Sequence, residues 1–197
     1  MSRLNDITAL LQQHGALTAN LLRQHGMARS WIGHLIDQGV LIRVARGVYA
    51  AADGSGVGPY HSLAVAAQRV PAGVVCLLSA LRFHAIGTQP PAAVWMGLLR
   101  RTRIPADRII HAVHYNQASF ESGVERHTID GTEVLIYSPA KTVADCFKYR
   151  NQIGLETAIE ALRETIHGRK ATVAEINAYA DVCRIRTVIT PYLQALA

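Results

Sequence analysis

Residues 41–51, "LIRVARGVYAA", are two short apolar runs joined at Ala45-Arg46-Gly47, with Arg43 and Arg46 placed around the glycine turn. A guanidinium is a rigid planar fork that pairs with phosphate through two parallel hydrogen bonds, so two of them at a hairpin tip have the chemistry of a phosphate or minor-groove contact. The plainer reading makes them solvated charges that keep an edge strand from aggregating. A second set of polar residues precedes them: Arg29, Ser30, Gly33, His34 and Asp37, spaced three and four apart. On a helix these fall on one outer face. Elsewhere, "LLRRTRIPADR" gathers Arg100, Arg101, Arg103 and Arg108 in nine residues, a candidate surface for nucleic acid or an acidic partner, or else a solvated loop. Lys141, Asp145 and Lys148 have helical-neighbour spacing, which predicts exposed ion pairs with a possible role in partner contact.

Catalytic and metal chemistry find little support. Asp130 and Glu133 could begin an acidic nuclease set, but Leu135 stands where its lysine is needed. No phosphate-binding glycine loop, nucleophile elbow or H-E-x-x-H occurs. His111 and His114 lie three apart on a predicted strand and so point to opposite faces. Cys76, Cys146 and Cys183 are far apart and without C-x-x-C spacing, which predicts buried thiols rather than disulfides or zinc ligands. The expectation is a protein that is not an enzyme and holds no cofactor or metal.

The elements that would position the arginines read clearly. "RLNDITALLQQHG" places Leu4, Ile7, Leu10 and Leu11 in one helical stripe. Thr18 stands as N-cap for a second helix with Leu21 and Leu22 inward and Gly26 at its stop. "ARSWIGHLIDQGV" is a third, with Ile32, Leu35 and Ile36 inward, Trp31 packing against its neighbours, and Gly39 as terminator. Three short helices followed by a strand-turn-strand outline a winged helix-turn-helix, whose last helix enters the DNA major groove while the hairpin projects as a wing. Arg29, Ser30 and His34 then face base edges or the groove floor, and Arg43 and Arg46 meet the backbone.

"AADGSGVGP" is the linker candidate. The expected division is therefore residues 1–51 for the DNA-binding domain, 52–59 for the linker and 60–197 for a second domain. In the second domain, "YHSLAVAAQRV" reads as a helix, and "LSALRFHAIG" as another, capped by Ser79. Strands fall at "AAVWMGLL", at "RIIHAVHY" and on both sides of Asp130-Gly131. Ser138-Pro139 opens a further helix, and helices follow near 153–167, 172–183 and 187–196. The fold class is α+β: a winged helix-turn-helix, then helices around a small antiparallel sheet, then a helical tail.

Composition is consistent with a folded chain. Half of the 197 residues are hydrophobic, and 17% are charged. The net charge of +6 favours an anionic partner, yet residues 1–58, 59–137 and 138–197 each carry an excess of two basic residues, so charge alone does not locate the basic face. The N-terminal stretch is too polar for a signal peptide and no run reaches the length of a membrane span, so a cytoplasmic location without membrane contact is expected.

"MARSWIGHLIDQ" followed by "GVLIRVARGVYAA" resembles the N-terminal winged helix of the AbiEi family, the antitoxin half of AbiE-type toxin-antitoxin systems. "LSALRFHAIG" and "YSPAKTVADCFKYRNQIG" are similar to that family's C-terminal domain. The resemblance implies a dual role: a repressor that binds repeats in its own promoter DNA, and a C-terminal domain that counteracts a nucleotidyltransferase-like toxin. The alternative is an adaptor whose winged helix binds a neighbouring enzyme and not DNA.

Overall fold

Thr18 caps a helix because its hydroxyl accepts the Leu21 amide at 3.1 Å, satisfying one of the donors that a helix start leaves unpaired. Such local signals set much of the N-terminal half of the computed structural model, which describes residues 3–14, 16–45, 47–52, 59–102 and 109–196. The elements there are α1 (Arg3–His14), β1 (Leu17–Thr18), α2 (Ala19–Gln24), α3 (Arg29–Asp37), β2 (Leu41–Ala45), β3 (Val48–Ala51) and α4 (His61–Arg69). The three strands form an antiparallel sheet in the order β1-β3-β2. Ile7, Leu10, Leu22, Ile32, Leu35 and Leu41 meet in one apolar core, with Trp31 and Ile36 packed partly buried against it. Apart from Leu4, whose side chain lies outside the described residues, the inward stripes expected for the three helices are the ones that pack. The strand β1 is too short for any pattern to announce.

The second half contains β4 (Val74–Val75), α5 (Leu77–Phe83), β5 (Val94–Leu99), β6 (Ile110–Tyr115), α6 (Gln117–Glu121), β7 (Val124–Ile129) and β8 (Thr132–Tyr137). They are followed by α7 (Pro139–Lys148), α8 (Arg150–Ile153), α9 (Leu155–His167), α10 (Val173–Val182) and α11 (Arg186–Ala195). The architecture is a mixed α+β fold. The sheet runs β6-β5-β4-β8-β7. It is not the antiparallel sheet expected from the sequence: β5 pairs with β6 in parallel from Val94↔Ile110 to Leu99↔Tyr115, and β4 pairs with β8 in parallel, whereas β4 and β5 are antiparallel. Parallel neighbours are joined by a crossover and not by a tight turn, and the strand patterns alone carry no sign of which connection is used. Helix α5 begins at Leu77, not behind Ser79; the Ser79 hydroxyl lies inside the helix and accepts the Trp95 amide at 2.9 Å.

Contacts divide the chain into two compact units, 1–71 with 127–134, and 72–126 with 135–197. Helix α4 and the tip of the β7–β8 hairpin therefore group with the N-terminal unit, although the sequence division puts both on the far side of 52–59. Two polar contacts join them: the Gln68 amide donates to the Thr132 hydroxyl at 2.7 Å, and the His61 ring meets the Asp130 carboxylate at 2.8 Å.

The second unit is organised around α7, where every residue from Ala140 to Phe147 is buried. Ser138 caps it and Pro139 opens it, as expected. Helices α5, α9, α10 and α11 contact it. This burial corrects the expectation of exposed ion pairs, since Lys141 and Asp145 are both fully buried and their charged ends lie 2.5 Å apart. The Lys141 ammonium also stands 4.1 Å from the Tyr137 ring centre and 4.9 Å from that of Tyr115. The Cys183 thiol donates to the other Asp145 oxygen at 3.3 Å. Burial pushes the Asp145 carboxyl above its ordinary range, and Lys141 pulls it partly back. Removing one charge of such a pair leaves the other without compensation. Lys141→Met is expected to cost about 3–5 kcal/mol in urea denaturation, and Lys141→Met/Asp145→Leu to recover most of that loss.

Candidate nucleic-acid interface

The short hairpin is set by geometry at its turn. Gly47 lies at φ +77°, a left-handed conformation that a side chain would strain, and its carbonyl accepts the Ala19 amide at 2.8 Å. That bond ties the hairpin to the first residue of α2. Antiparallel partners share a face, so the pair Arg43↔Tyr49 puts the arginine on the same side as Leu41 and Tyr49, which join the core beneath the helices. The register shifts between Arg43 and Ala45, a bulge that increases the local twist just before the turn.

Helix α3 presents its other face to solvent. Arg29, Ser30, Gly33, His34 and Asp37 are all exposed, and a Cβ added at Gly33 would meet nothing within 4 Å. Four of these side chains can donate or accept hydrogen bonds along one stripe, with the only carboxylate among them, Asp37, at the C-terminal end. Ala28 occupies the N-cap position and supplies no side-chain cap.

Between α2, the start of α3 and the hairpin lies a groove of about 610 Å³ whose lining includes Arg23, Arg29, Arg43, Gly47 and Tyr49. Arg23 is exposed in the last turn of α2, and its guanidinium donates to the Asn20 side-chain oxygen at 2.7 Å. On α4, Arg69 is half-buried and held below the usual arginine range, first by burial and then by the positive charge of Arg43.

The structure therefore brings Arg29 and Arg43 to one groove, while Ser30 and His34 are exposed on α3 and are not among its lining residues. Arg46 and Arg103 lie outside the described residues. Arg100 and Arg101 are exposed at the end of β5, where the Arg100 amide donates to the Tyr115 carbonyl at 3.1 Å. Lys141 and Asp145 have no surface to offer. Sequence reasoning missed Arg23, Tyr49 and Arg69. Arg23 had a signal, being the outward residue beside the inward Leu21 and Leu22; Arg69 had none, because only the folding of α4 beside the hairpin brings it near Arg43. Among the described residues no group of three His, Cys, Asp or Glu side chains could hold a metal ion. No helix there is long and apolar enough to cross a membrane.

Residues 5–52 match the family model described as a transcriptional regulator, AbiEi antitoxin. Among solved structures, the chain is similar to the RV2827C protein from Mycobacterium tuberculosis, with a TM-score of 0.62 and 14% identity, over 100% of this chain and 81% of that one. That likeness is one of fold. No curated protein matches the chain.

The two cap positions give opposite expectations for stability. Thr18→Ala should lower unfolding free energy by about 1 kcal/mol, and Ala28→Ser should raise it by a similar amount, both read from denaturant midpoints at constant m-value.

Proposed function

We propose that this chain, whose residues 5–52 belong to the AbiEi antitoxin transcriptional regulators, is an antitoxin that binds its own promoter DNA and represses its operon. The N-terminal helices and hairpin act as a winged helix-turn-helix. Helix α3 enters the major groove with Arg29, Ser30 and His34 toward base edges, while Arg43 and Arg46 on the hairpin hold sugar-phosphate or the minor groove. One observation carries this reading: the open polar stripe of α3 stands beside an arginine-bearing hairpin that a backbone hydrogen bond fixes to α2.

The C-terminal residues counteract a nucleotidyltransferase-like toxin in the cytoplasm, with Arg100, Arg101 and Arg103 as the contact surface. Lys141 and Asp145 serve the core and not the partner. The domain division stays at 52–59 in this proposal, with no catalytic centre, cofactor or metal in either part.

The test is fluorescence anisotropy of a labelled duplex from the gene's own upstream region against a scrambled duplex, at two salt concentrations. Tighter and salt-sensitive binding to the native duplex is expected; equal or absent binding to both would sink the repressor reading and favour the adaptor. Arg46→Ala should weaken both duplexes alike and flatten the salt slope by close to one unit, as one phosphate contact is lost. His34→Ala should instead narrow the difference between native and scrambled DNA by roughly 5- to 150-fold, the range of one base contact. An unchanged slope in the first or unchanged discrimination in the second would remove that residue from the interface.

A further inference from the structure

The centre of α3 is occupied by a glycine that the fold does not ask for. Gly33 is the middle residue of a helix of nine, and glycine weakens a helix interior more than any residue except proline. This helix is poorly placed to bear it, since Ala28 gives its start no side-chain cap. Other glycines answer local demands: Gly39 lies at φ +67°, and a Cβ at Gly97 would stand 2.9 Å from the Tyr115 ring. Gly33 meets neither demand. Its backbone is helical, and no atom of the described residues lies within 4 Å of a Cβ built there. Its helical neighbours three and four positions away include Arg29, Ser30 and Asp37, all exposed, whereas Ile32 and Leu35 carry the packing on the inner side. The bare Cα is thus a notch in the polar stripe of α3, open on its outer side.

We propose that this notch receives the 5-methyl group of a thymine in the major groove of duplex DNA. The proposal rests on the DNA-binding reading of α3 and adds a contact that no side chain makes. A helix with its side chains is about 10–12 Å across and the major groove about 12 Å wide, so the bulk on the outer face of α3 sets how deep it reaches. A missing side chain at the centre of that face lets the backbone come closer to the base edges. A Cα–H surface has no strong donor or acceptor and cannot read the hydrogen-bonding pattern of a base. The apolar group that a base pair presents in the major groove is the thymine methyl. Arg29, Ser30 and His34 surround the notch and read the neighbouring edges by hydrogen bonds, which makes Gly33 the position that selects an A·T pair.

The experiment sets the full-length wild type and Gly33→Ala against the gene's own upstream duplex, made with thymine or with uracil throughout, and against a scrambled duplex, by fluorescence anisotropy. Uracil differs from thymine by the 5-methyl alone. Wild type should bind the uracil duplex roughly tenfold more weakly than the thymine duplex. Gly33→Ala should lose a similar factor, roughly tenfold, on the thymine duplex, where two methyl groups compete for one place. On the uracil duplex the alanine methyl fills the vacated place, so the two proteins should agree within about twofold. Thermal unfolding of Gly33→Ala should stay cooperative, with Tm about 2–4 °C above wild type. If wild type prefers its own duplex over the scrambled one but ignores the uracil exchange, or if Gly33→Ala loses nothing or the same factor on both, the notch holds no methyl while the repressor reading stands. A lowered Tm would show that the fold needs Gly33 and would also overturn the proposal. If wild type binds no duplex, or binds native and scrambled alike, the repressor reading itself fails and the notch falls with it.

Discussion

The Gly47 carbonyl accepts the amide of Ala19, and on that bond the N-terminal arrangement turns. It requires a left-handed residue at the hairpin tip and a helix start opposite it, and it locks the two together before any side chain is considered. With the hairpin fixed to α2, the pairing Arg43↔Tyr49 sends the arginine to the side on which the helices pack. With α2 fixed by its Thr18 cap, Arg23 and the start of α3 come to the same groove. On α4, Arg69 is held below the usual arginine range first by its burial and then by the positive charge of Arg43 on the hairpin.

The second unit solves a different problem. Helix α7 is surrounded, and it carries two opposite charges into a place where water cannot follow. Each is satisfied by several neighbours: the ammonium by a carboxylate and two aromatic rings, the carboxylate by an ammonium and a thiol. Such a network adds little net stability over an apolar core of the same volume, yet it punishes any packing in which one member is displaced. The phrase "SPAKTVADCF" is therefore distinctive for reasons of packing, and the surfaces available for a partner lie elsewhere.

Local chemistry was legible in the sequence and non-local chemistry was not. Thr18, Asp130-Gly131 and Ser138-Pro139 act within four residues of themselves, so their caps and turns could be read directly. The inward faces of α1 to α3 followed from periodicity, and the exposed stripe of Arg29, Ser30 and His34 was its complement. Lys141 and Asp145 misled because a spacing of four is the same on a solvated face and in a core; only the helices packed around α7 decide. Strands β1 and β4 have two residues each, too few to alternate, and the parallel pairing of β5 with β6 depends on where a crossover lands. Arg43 and Arg69 are 26 positions apart, and nothing local joins them.

The central claim is that one surface, built from α2, α3 and the hairpin, meets DNA. An amide chemical-shift titration of the isotopically labelled full chain with a duplex from its own upstream region tests it residue by residue. The account predicts that the first and largest shifts fall on residues 19–49, with the 135–197 amides nearly unmoved. Shifts concentrated between residues 72 and 126, with α3 and the hairpin unmoved, would contradict it.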